Sequence, residues 1–229
     1  MIIEILRKKK YGEPYLQTFE YQPLSKEENV VILLEELNKK LDDKIAYKKS
    51  CLQKKCGACA MLINGKPALA CHTPLKDLGE KVHLEPLKKF PVVEDLVVDR
   101  SILQDNLKKM KVFFEDKALI SEKRNVLSYE AMRCLQCGLC LEVCPGFHAE
   151  DGFTGMAGAM TLAGLLNRLS KEEIGEAARM YRRYVYEGCG ISLACKDICP
   201  AKINIEDLLI NSNAIAVYKR YLKEDKKHV

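Results

Sequence analysis

The first hundred residues contain short runs in which apolar and polar positions alternate, as they do in half-buried strands. The pattern predicts strands over residues 2–6, 15–21, 60–63, 67–70 and 82–84. Between the second and third strands, apolar residues recur at the spacing of one helical face: Val30, Leu33, Leu34, Leu37 and Leu41. Asn64–Gly65 separates two of the strands, and this dipeptide is typical of a tight hairpin turn.

The alternation ends near residue 100, and helical patterns follow it. We predict that residues 90–99 form a crossing segment between the two regions. The pattern after it predicts helices over residues 101–114, 128–132, 156–169, 171–186 and 205–222. Two hairpins around one helix indicate a β-grasp unit. The predicted fold class is therefore α+β, with a β-grasp domain over residues 1–100 and an all-α domain over residues 101–229.

The composition adds one unusual feature, which is cysteine. The chain has 229 residues with 11 cysteines and no tryptophan, and its 37 Lys+Arg face 32 Asp+Glu. An odd number of thiols excludes a complete disulfide framework. Because the N terminus lacks the pattern of a secretion signal, we expect a cytoplasmic chain whose thiols stay reduced. Such a chain usually binds metal, and its interleaved charges predict no nucleic-acid partner.

The first cysteine group has the spacing of a plant-type 2Fe–2S ferredoxin. Cys51, Cys56 and Cys59 follow one another in one loop, and Cys71 comes after the Asn64–Gly65 turn, which can return it to that loop. We predict that these four thiolates bind a 2Fe–2S cluster. Structural zinc and unligated thiols are the alternatives.

Two further groups follow the run of bacterial ferredoxins, in which the last cysteine serves the other cluster of a pair. The second group contains, in order, Cys134, Cys137, Cys140 and Cys144. The third group contains Cys189, Cys195 and Cys199, with Ser192 where the template has a cysteine. Both runs end in Cys-Pro, a feature that zinc ribbons do not need.

Exchange of the last cysteines between these two runs gives the predicted ligand sets. A 4Fe–4S cluster receives four thiolates, those of Cys134, Cys137, Cys140 and Cys199. The other site receives three, those of Cys144, Cys189 and Cys195. A hydroxyl loses its proton far less readily than a thiol, so Ser192 is a weak ligand and a 3Fe–4S cluster is expected. A 4Fe–4S cluster with a serine or water ligand is the alternative.

All 11 cysteines are assigned in this way, and three different clusters on one chain indicate electron transfer. The N-terminal domain is accordingly predicted to be a 2Fe–2S ferredoxin domain. The C-terminal domain is predicted to be bacterial-ferredoxin-like and to hold two clusters. A zinc-stabilised binding module without a redox role is the competing hypothesis.

Taken in order, these motifs resemble the iron–sulfur subunit of succinate dehydrogenases and fumarate reductases, the complex II family. The resemblance spans nearly the whole chain and includes the serine in the third run. Besides the cysteines, it rests on the segments Lys55–Ala60, Ile63–Gly65, Leu69–Cys71, Pro91–Val93, Asp95–Asp99 and Cys137–Cys140.

The resemblance implies an oxidoreductase of the tricarboxylic acid cycle or of anaerobic respiration. Electrons would pass between the FAD of a partner flavoprotein, where succinate and fumarate interconvert, and a quinone, in the order 2Fe–2S, 4Fe–4S, 3Fe–4S. A membrane-anchor subunit would hold the chain peripherally on the cytoplasmic membrane. We expect no catalytic residue on this chain, because no acid–base pair or nucleophile stands out in it.

Departures from the family pattern concern the quinone end. The second run continues as Gly146-Phe147-His148 where quinone-using members often carry aromatic residues including Trp, and Asn213 stands where a basic residue is frequent. These departures favour a menaquinone-type quinone over ubiquinone. They also keep open a soluble fumarate reductase that exchanges electrons with a thiol or iron–sulfur partner.

Overall fold

The computed structural model describes residues 1–111, 126–169 and 174–218. Their contacts divide the chain into two compact units. The first unit comprises Met1–Arg100 and Leu135–Glu142, and the second comprises Ser101–Cys134 and Val143–Val229. The assignment of cluster-binding domains to residues 1–100 and 101–229 stays a prediction.

The first unit contains a mixed five-stranded sheet. Its strands are β1 (Ile2–Arg7), β2 (Tyr15–Glu20), β3 (Ala60–Ile63), β4 (Lys66–Leu69) and β5 (Lys81–Glu85). They lie in the order β2-β1-β5-β3-β4, and β1 and β5 are parallel while the other pairs are antiparallel. The predicted strands thus all form, and no strand end is shifted by more than one residue.

Helix α1 (Val30–Lys40) joins the two hairpins of this sheet. The Asn29 side chain caps its start by accepting hydrogen bonds from the amides of Val31 and Ile32, at 3.0 and 3.1 Å. The helix buries the apolar face that the sequence predicted, including Leu33 and Leu34. Burial of this face stabilises the helix more than its intrinsic propensity does.

Residues 90–99, predicted as a crossing segment, instead form a small antiparallel pair of strands. These strands are β6 (Val92–Glu94) and β7 (Val97–Val98), and the turn between them places Asp95 in the left-handed region with φ of 44°. Aspartate tolerates this conformation better than most residues because its short side chain bonds to nearby backbone. Here that carboxylate accepts hydrogen bonds from the amides of Lys8 and Ala46 at 3.0 and 2.8 Å.

The last buried residue of β1 is Arg7, which forms a buried ion pair. Ile3, Ile5 and Arg7 occupy alternate positions, and each is fully buried. Nε of Arg7 lies 3.0 Å from a carboxylate oxygen of Asp95, and both side chains are 0% exposed. Together with the bonds from Lys8 and Ala46, this pair fastens β1 and the chain that precedes Cys51 to the β6–β7 turn.

The segment Leu135–Glu142 belongs to the first unit through contacts that lie far apart in sequence. It contains the short helix α4 (Leu139–Glu142). The carboxylate of Glu142 accepts hydrogen bonds from the amides of Lys88 and Lys89 at 2.9 and 3.1 Å. Part of the second cysteine run is therefore anchored beside the end of the sheet.

The second unit is helical in its described part. Its helices are α2 (Ser101–Lys109), α3 (Val126–Met132), α5 (Gly155–Leu166), α6 (Ile174–Tyr181) and α7 (Ile205–Asn213). Helices α6 and α7 continue as π-helical turns over Arg182–Tyr186 and Ala214–Tyr218. The predicted helix ends at residues 114, 171 and 222 lie outside the described residues.

Helix α5 forms the centre of this unit. Ten of its residues are buried, and it packs against α2, α3, α6 and α7. Its small residues allow α3 to approach closely, and the Ser128 hydroxyl donates a hydrogen bond to the carbonyl of Gly164 at 3.0 Å. Within the described ranges, no helix is both long and apolar enough to cross a membrane.

Candidate iron–sulfur centres

The β3–β4 hairpin brings the last two cysteines of the first group together. Cys59 directly precedes β3, and Cys71 lies in the 3-10 turn Ala70–His72 that follows β4. Because Ala60 pairs with Leu69 in the hairpin, the two cysteines are neighbours. The amide of Cys71 donates a hydrogen bond to Sγ of Cys59 at 3.5 Å.

The first two cysteines of this group share a loop whose backbone amides point at sulfur. Leu52 and Lys54 adopt left-handed conformations, with φ of 55° and 59°. As a result, the amides of Gln53 and Lys55 both donate to Sγ of Cys51, at 3.4 and 3.2 Å. These two bonds, with a smaller contribution from the Cys56 thiol, lower the pKa of Cys51 to about 7.

Burial differs most between Cys56 and Cys59, while Cys51 and Cys71 are both intermediate. Cys56 is exposed, and its Sγ accepts a hydrogen bond from the amide of Ala58 at 3.5 Å. Cys59 is buried, and this burial raises the pKa of its thiol to about 11. Four thiols in one unit, several of them bonded by backbone amides, match the donors that an iron–sulfur cluster requires.

Gly57, inside the first cysteine loop, lies against the backbone of the second cysteine run. Its φ is +69°, and a Cβ added there would lie 2.6 Å from Cβ of Cys137. A residue with a side chain would therefore be both strained and in collision with Cys137. Glycine at this position allows the loop around Cys56 and the segment around Cys137 to touch within the first unit.

Arg100 joins the same two segments, and sequence reasoning did not identify it. Its guanidinium donates to the carbonyls of Gly57, Ala58 and Cys137 at 2.9, 3.1 and 2.9 Å. Burial lowers the pKa of Arg100, although the nearby thiols of the two segments oppose this effect. Its position directly after the Asp95–Asp99 motif is the one signal in the sequence that could have drawn attention to it.

The four cysteines predicted to bind the 4Fe–4S cluster are distributed over the two units. Cys137 and Cys140 belong to the first unit, and Cys134 and Cys199 belong to the second. In the second unit, the guanidinium of Arg133 donates to the carbonyl of Ala201 at 2.9 Å. This bond ties the residue beside Cys134 to the chain just after Cys199, as the predicted exchange of ligands between the runs requires.

The third group lies wholly in the second unit. Burial raises the pKa of Cys195 to about 11, and the neighbouring charges of Cys144, Cys189 and Cys199 add to the increase. Cys144 and Cys189, which the sequence assigned to one site with Cys195, therefore lie within electrostatic reach of that thiol. Cys199, assigned to the other cluster, also lies within electrostatic reach of Cys195.

A close approach of backbone segments supports this third group. A Cβ on Gly146 would lie 3.1 Å from the carbonyl oxygen of Gly188, and a Cβ on Gly188 would lie 2.4 Å from Cδ2 of Phe153. The residues after Cys144 and before Cys189 are thus in contact. Larger side chains at either glycine would separate the two segments.

Ser192 occupies its loop much as a cysteine ligand does in the first loop. It lies between two left-handed residues, Ile191 and Leu193, with φ of 52° and 54°. Its hydroxyl oxygen accepts a hydrogen bond from the amide of Ala194 at 3.5 Å, as Sγ of Cys56 does from Ala58. The backbone is therefore arranged for a ligand, and the side chain at this position is a hydroxyl.

A cavity of about 620 Å³ adjoins this third group within the second unit. Its lining includes Tyr181, Tyr186, Cys189, Ile191, Ile210 and Asn213. The Tyr181 hydroxyl donates a hydrogen bond to the side-chain oxygen of Asn213 at 2.9 Å. In the parts of the chain that the structure describes, no cluster of three or more His, Cys, Asp or Glu side chains has the geometry to hold a metal ion.

Comparison with known proteins identifies the family. Residues 2–105 match the family described as a 2Fe-2S iron-sulfur cluster binding domain, and residues 130–203 match a 4Fe-4S dicluster domain. The chain is 36% identical over 171 residues to the succinate dehydrogenase iron–sulfur subunit of Bacillus subtilis, which covers 69% of this chain and 67% of that protein. It is 31% identical over 232 residues to the fumarate reductase iron–sulfur subunit of Haemophilus influenzae, with coverage of 92% and 89%. The chain belongs to the family of succinate dehydrogenase and fumarate reductase iron–sulfur subunits.

Other members and a solved structure support this assignment. The present chain aligns with a chain of the Mycobacterium smegmatis Sdh1 complex with a TM-score of 0.79 and 27% sequence identity, over 96% of both chains. It is also 26% identical over 200 residues to a subunit of the fumarate reductase (CoM/CoB) of Methanothermobacter marburgensis. That match covers 84% of this chain and 39% of the relative. The predicted family, and the presence of 2Fe–2S and 4Fe–4S domains, are confirmed.

Proposed function

We propose that this iron–sulfur subunit relays electrons between the FAD of a partner flavoprotein and a quinone pool. The flavoprotein would carry the site where succinate and fumarate interconvert. The observation that carries the proposal is the presence of three separate cysteine groups in a member of this family, two of them with left-handed loop residues that turn backbone amides toward the ligand positions. Bound clusters would supply one-electron transfer at each position.

The proposed ligands follow from the cysteine groups. The 2Fe–2S cluster is held by Cys51, Cys56, Cys59 and Cys71 of a β-grasp ferredoxin domain. A bacterial-ferredoxin-like domain contributes the rest, with 4Fe–4S on Cys134, Cys137, Cys140 and Cys199. Cys144, Cys189 and Cys195 hold a 3Fe–4S cluster, because the hydroxyl of Ser192 is too weak a ligand to retain a fourth iron.

The cavity beside Cys189 supports a quinone as the electron partner of the third site. Its volume of about 620 Å³ lies within the range of small-molecule pockets, and its lining is mainly aromatic and aliphatic. The hydrogen-bonded pair Tyr181–Asn213 offers polar contact at one side. A menaquinone-type ring fits this chemistry, and an anchor subunit would bring the chain to the cytoplasmic membrane.

A second candidate keeps the clusters and replaces the quinone. In that case the chain serves a soluble fumarate reductase and exchanges electrons with a thiol or iron–sulfur partner. The similarity to a subunit of the fumarate reductase (CoM/CoB) favours this candidate, as does the absence of tryptophan from the chain.

Purification of the complex from its native source tests the proposal. We expect roughly nine irons per chain, negligible zinc, a flavoprotein in the complex, and reduction of a menaquinone analogue by succinate or its reverse. A soluble complex that reduces fumarate with thiols would favour the second candidate. A colourless, zinc-loaded chain would overturn both.

A further inference from the structure

Arg100 contacts the ligand loops of two predicted clusters at once. Nη1 of its guanidinium donates to the carbonyls of Gly57 and Cys137, both at 2.9 Å, and Nη2 donates to the carbonyl of Ala58 at 3.1 Å. Gly57 and Ala58 lie between Cys56 and Cys59, and Cys137 belongs to the second run. All of these residues belong to the first unit.

The positive charge of Arg100 is not cancelled by the groups that bind it. The three acceptors are neutral backbone carbonyls. Arginine stays protonated in proteins, so the half-buried guanidinium remains a cation. The charged neighbours that act on it are the thiol groups of Cys137, Cys59 and Cys56.

We propose that Arg100 is a positioning residue that raises the reduction potentials of the 2Fe–2S cluster and of the cluster bound by Cys137, through its charge and its bonds to both ligand loops. This inference rests on the proposed function, because it requires the clusters. Reduction adds one electron to a cluster that is already negatively charged with its thiolates. A fixed cation nearby stabilises the reduced form more than the oxidised form.

The contact also explains why the two loops need a fork-shaped donor. Gly57 approaches Cys137 so closely that no side chain fits between them. Arg100 binds the carbonyl on each side of this contact with one nitrogen and reaches the next carbonyl with the other. Lysine carries the same charge as a compact ammonium and cannot reproduce this planar geometry.

The test is a redox titration, monitored by electron paramagnetic resonance, of the full chain isolated anaerobically with its clusters. We compare the wild-type protein with Arg100→Gln, which removes the charge, and Arg100→Lys, which keeps it. Arg183→Gln is the matched control, because it removes the same charge from an exposed position of the second unit. Stability to guanidinium is measured on all four proteins.

We expect Arg100→Gln to lower the ratio of reduced to oxidised 2Fe–2S cluster at a fixed potential at least tenfold, which is about 59 mV for a one-electron couple. The cluster bound by Cys137 should shift in the same direction. Arg100→Lys should return both potentials toward wild type even if it lowers stability, and Arg183→Gln should change neither.

Unchanged potentials in Arg100→Gln would overturn the inference, whatever the change in stability. If Arg100→Gln loses its clusters while Arg100→Lys retains them at near wild-type potentials, the requirement for charge is supported. Loss of clusters in both variants would overturn it in favour of a purely structural role. Absence of cluster signals from the wild-type chain would overturn the proposed function itself, which separates the two failures.

Discussion

The first and third cysteine loops use the same backbone conformation for different ligands. In the first loop, left-handed residues Leu52 and Lys54 direct amides to Sγ of Cys51. In the third loop, Ile191 and Leu193 have nearly the same φ values, and the amide of Ala194 reaches the hydroxyl of Ser192. Two amides thus converge on one sulfur in the first loop, and one amide points to the hydroxyl in the third, an arrangement that favours negative charge at both positions.

The same backbone with a cysteine in one loop and a serine in the other shows that backbone and side chain have separate roles at these sites. Alternating left-handed residues prepare a loop to stabilise an anion, and they do so whether the side chain offers sulfur or oxygen. The number of thiolates then decides how many irons the site retains. The surroundings also differ: Asp95 bonds the Ala46 amide in the chain that precedes the first loop, whereas Phe153 packs on Gly188 just before Cys189 of the third group.

The largest expected effect comes from Ser192→Cys, which would make the third loop complete in thiolates. We expect iron to rise from about nine to about ten per chain as 3Fe–4S becomes 4Fe–4S, with loss of the signal of the oxidised 3Fe–4S cluster. Iron analysis and electron paramagnetic resonance measure this change. Ser192→Ala is the control, and it should leave the iron content unchanged. A loss of iron in Ser192→Ala would show that the hydroxyl is itself a ligand.

A smaller but still large effect is expected from Asp95→Asn, which keeps the shape of the side chain. The buried Arg7 would lose its countercharge, and the new amide group would face backbone donors. Breaking a buried pair on one side costs about 3–5 kcal/mol, so the free energy of unfolding in guanidinium should fall by that amount. Asp43→Asn removes a partner of Arg7 that is 64% exposed and should cost far less. Equal losses in the two variants would contradict the role given to burial.

Gly188→Ala tests the support of the third loop. The new methyl group would lie 2.4 Å from the ring of Phe153, and overpacking of this kind costs about 1–3 kcal/mol. We also expect iron to be lost from the third site first, as seen by its paramagnetic signal. Gly190→Ala is the matched control, because a Cβ there meets no atom within 4 Å. Equal losses of stability and iron in Gly188→Ala and Gly190→Ala would contradict the role given to the contact between Phe153 and Gly188.

The smallest effect is expected where the two loops are alike. Lys54→Gly and Leu193→Gly each relieve a left-handed conformation, with φ of 59° and 54°. Relief of this strain is partly offset by the greater freedom of glycine in the unfolded chain, which leaves a gain of about 0.5 kcal/mol. Denaturation midpoints should rise slightly and equally in both variants. A gain in one loop alone would show that the loops are not equivalent.

Much of the fold was predictable because its strands, helices and turns follow from patterns between residues that are close in sequence. Alternation located the strands, and helical spacing located α1 with its buried leucines. Asn64–Gly65 marked the β3–β4 turn, where both residues have positive φ. The β6–β7 pair was missed, because its strands are three and two residues long and depend on the bonds that Asp95 makes to distant backbone.

In the candidate site, too, the features set by local spacing were predictable and those set by distant contacts were not. Cysteine spacing assigned every thiol to a group, and the ligand sets stay predictions until iron is measured. Sequence reasoning could not find Arg100 or the Arg7–Asp95 pair, because their partners are backbone groups or residues that lie tens of positions away in the chain. Spacing along the chain carries no information on such contacts.

The sequence by itself determined the order of the elements, the family and the number of thiols available to each cluster, because these depend on residue types and short separations. The tertiary structure decided which sulfurs receive backbone amides and where the charge of Arg100 lies. It also assigned Leu135–Glu142 to the first unit, through contacts such as that of Glu142 with the amides of Lys88 and Lys89. Those outcomes depend on distances between segments that meet only after folding, since hydrogen bonds and charges act over a few ångströms in space whatever the separation in sequence.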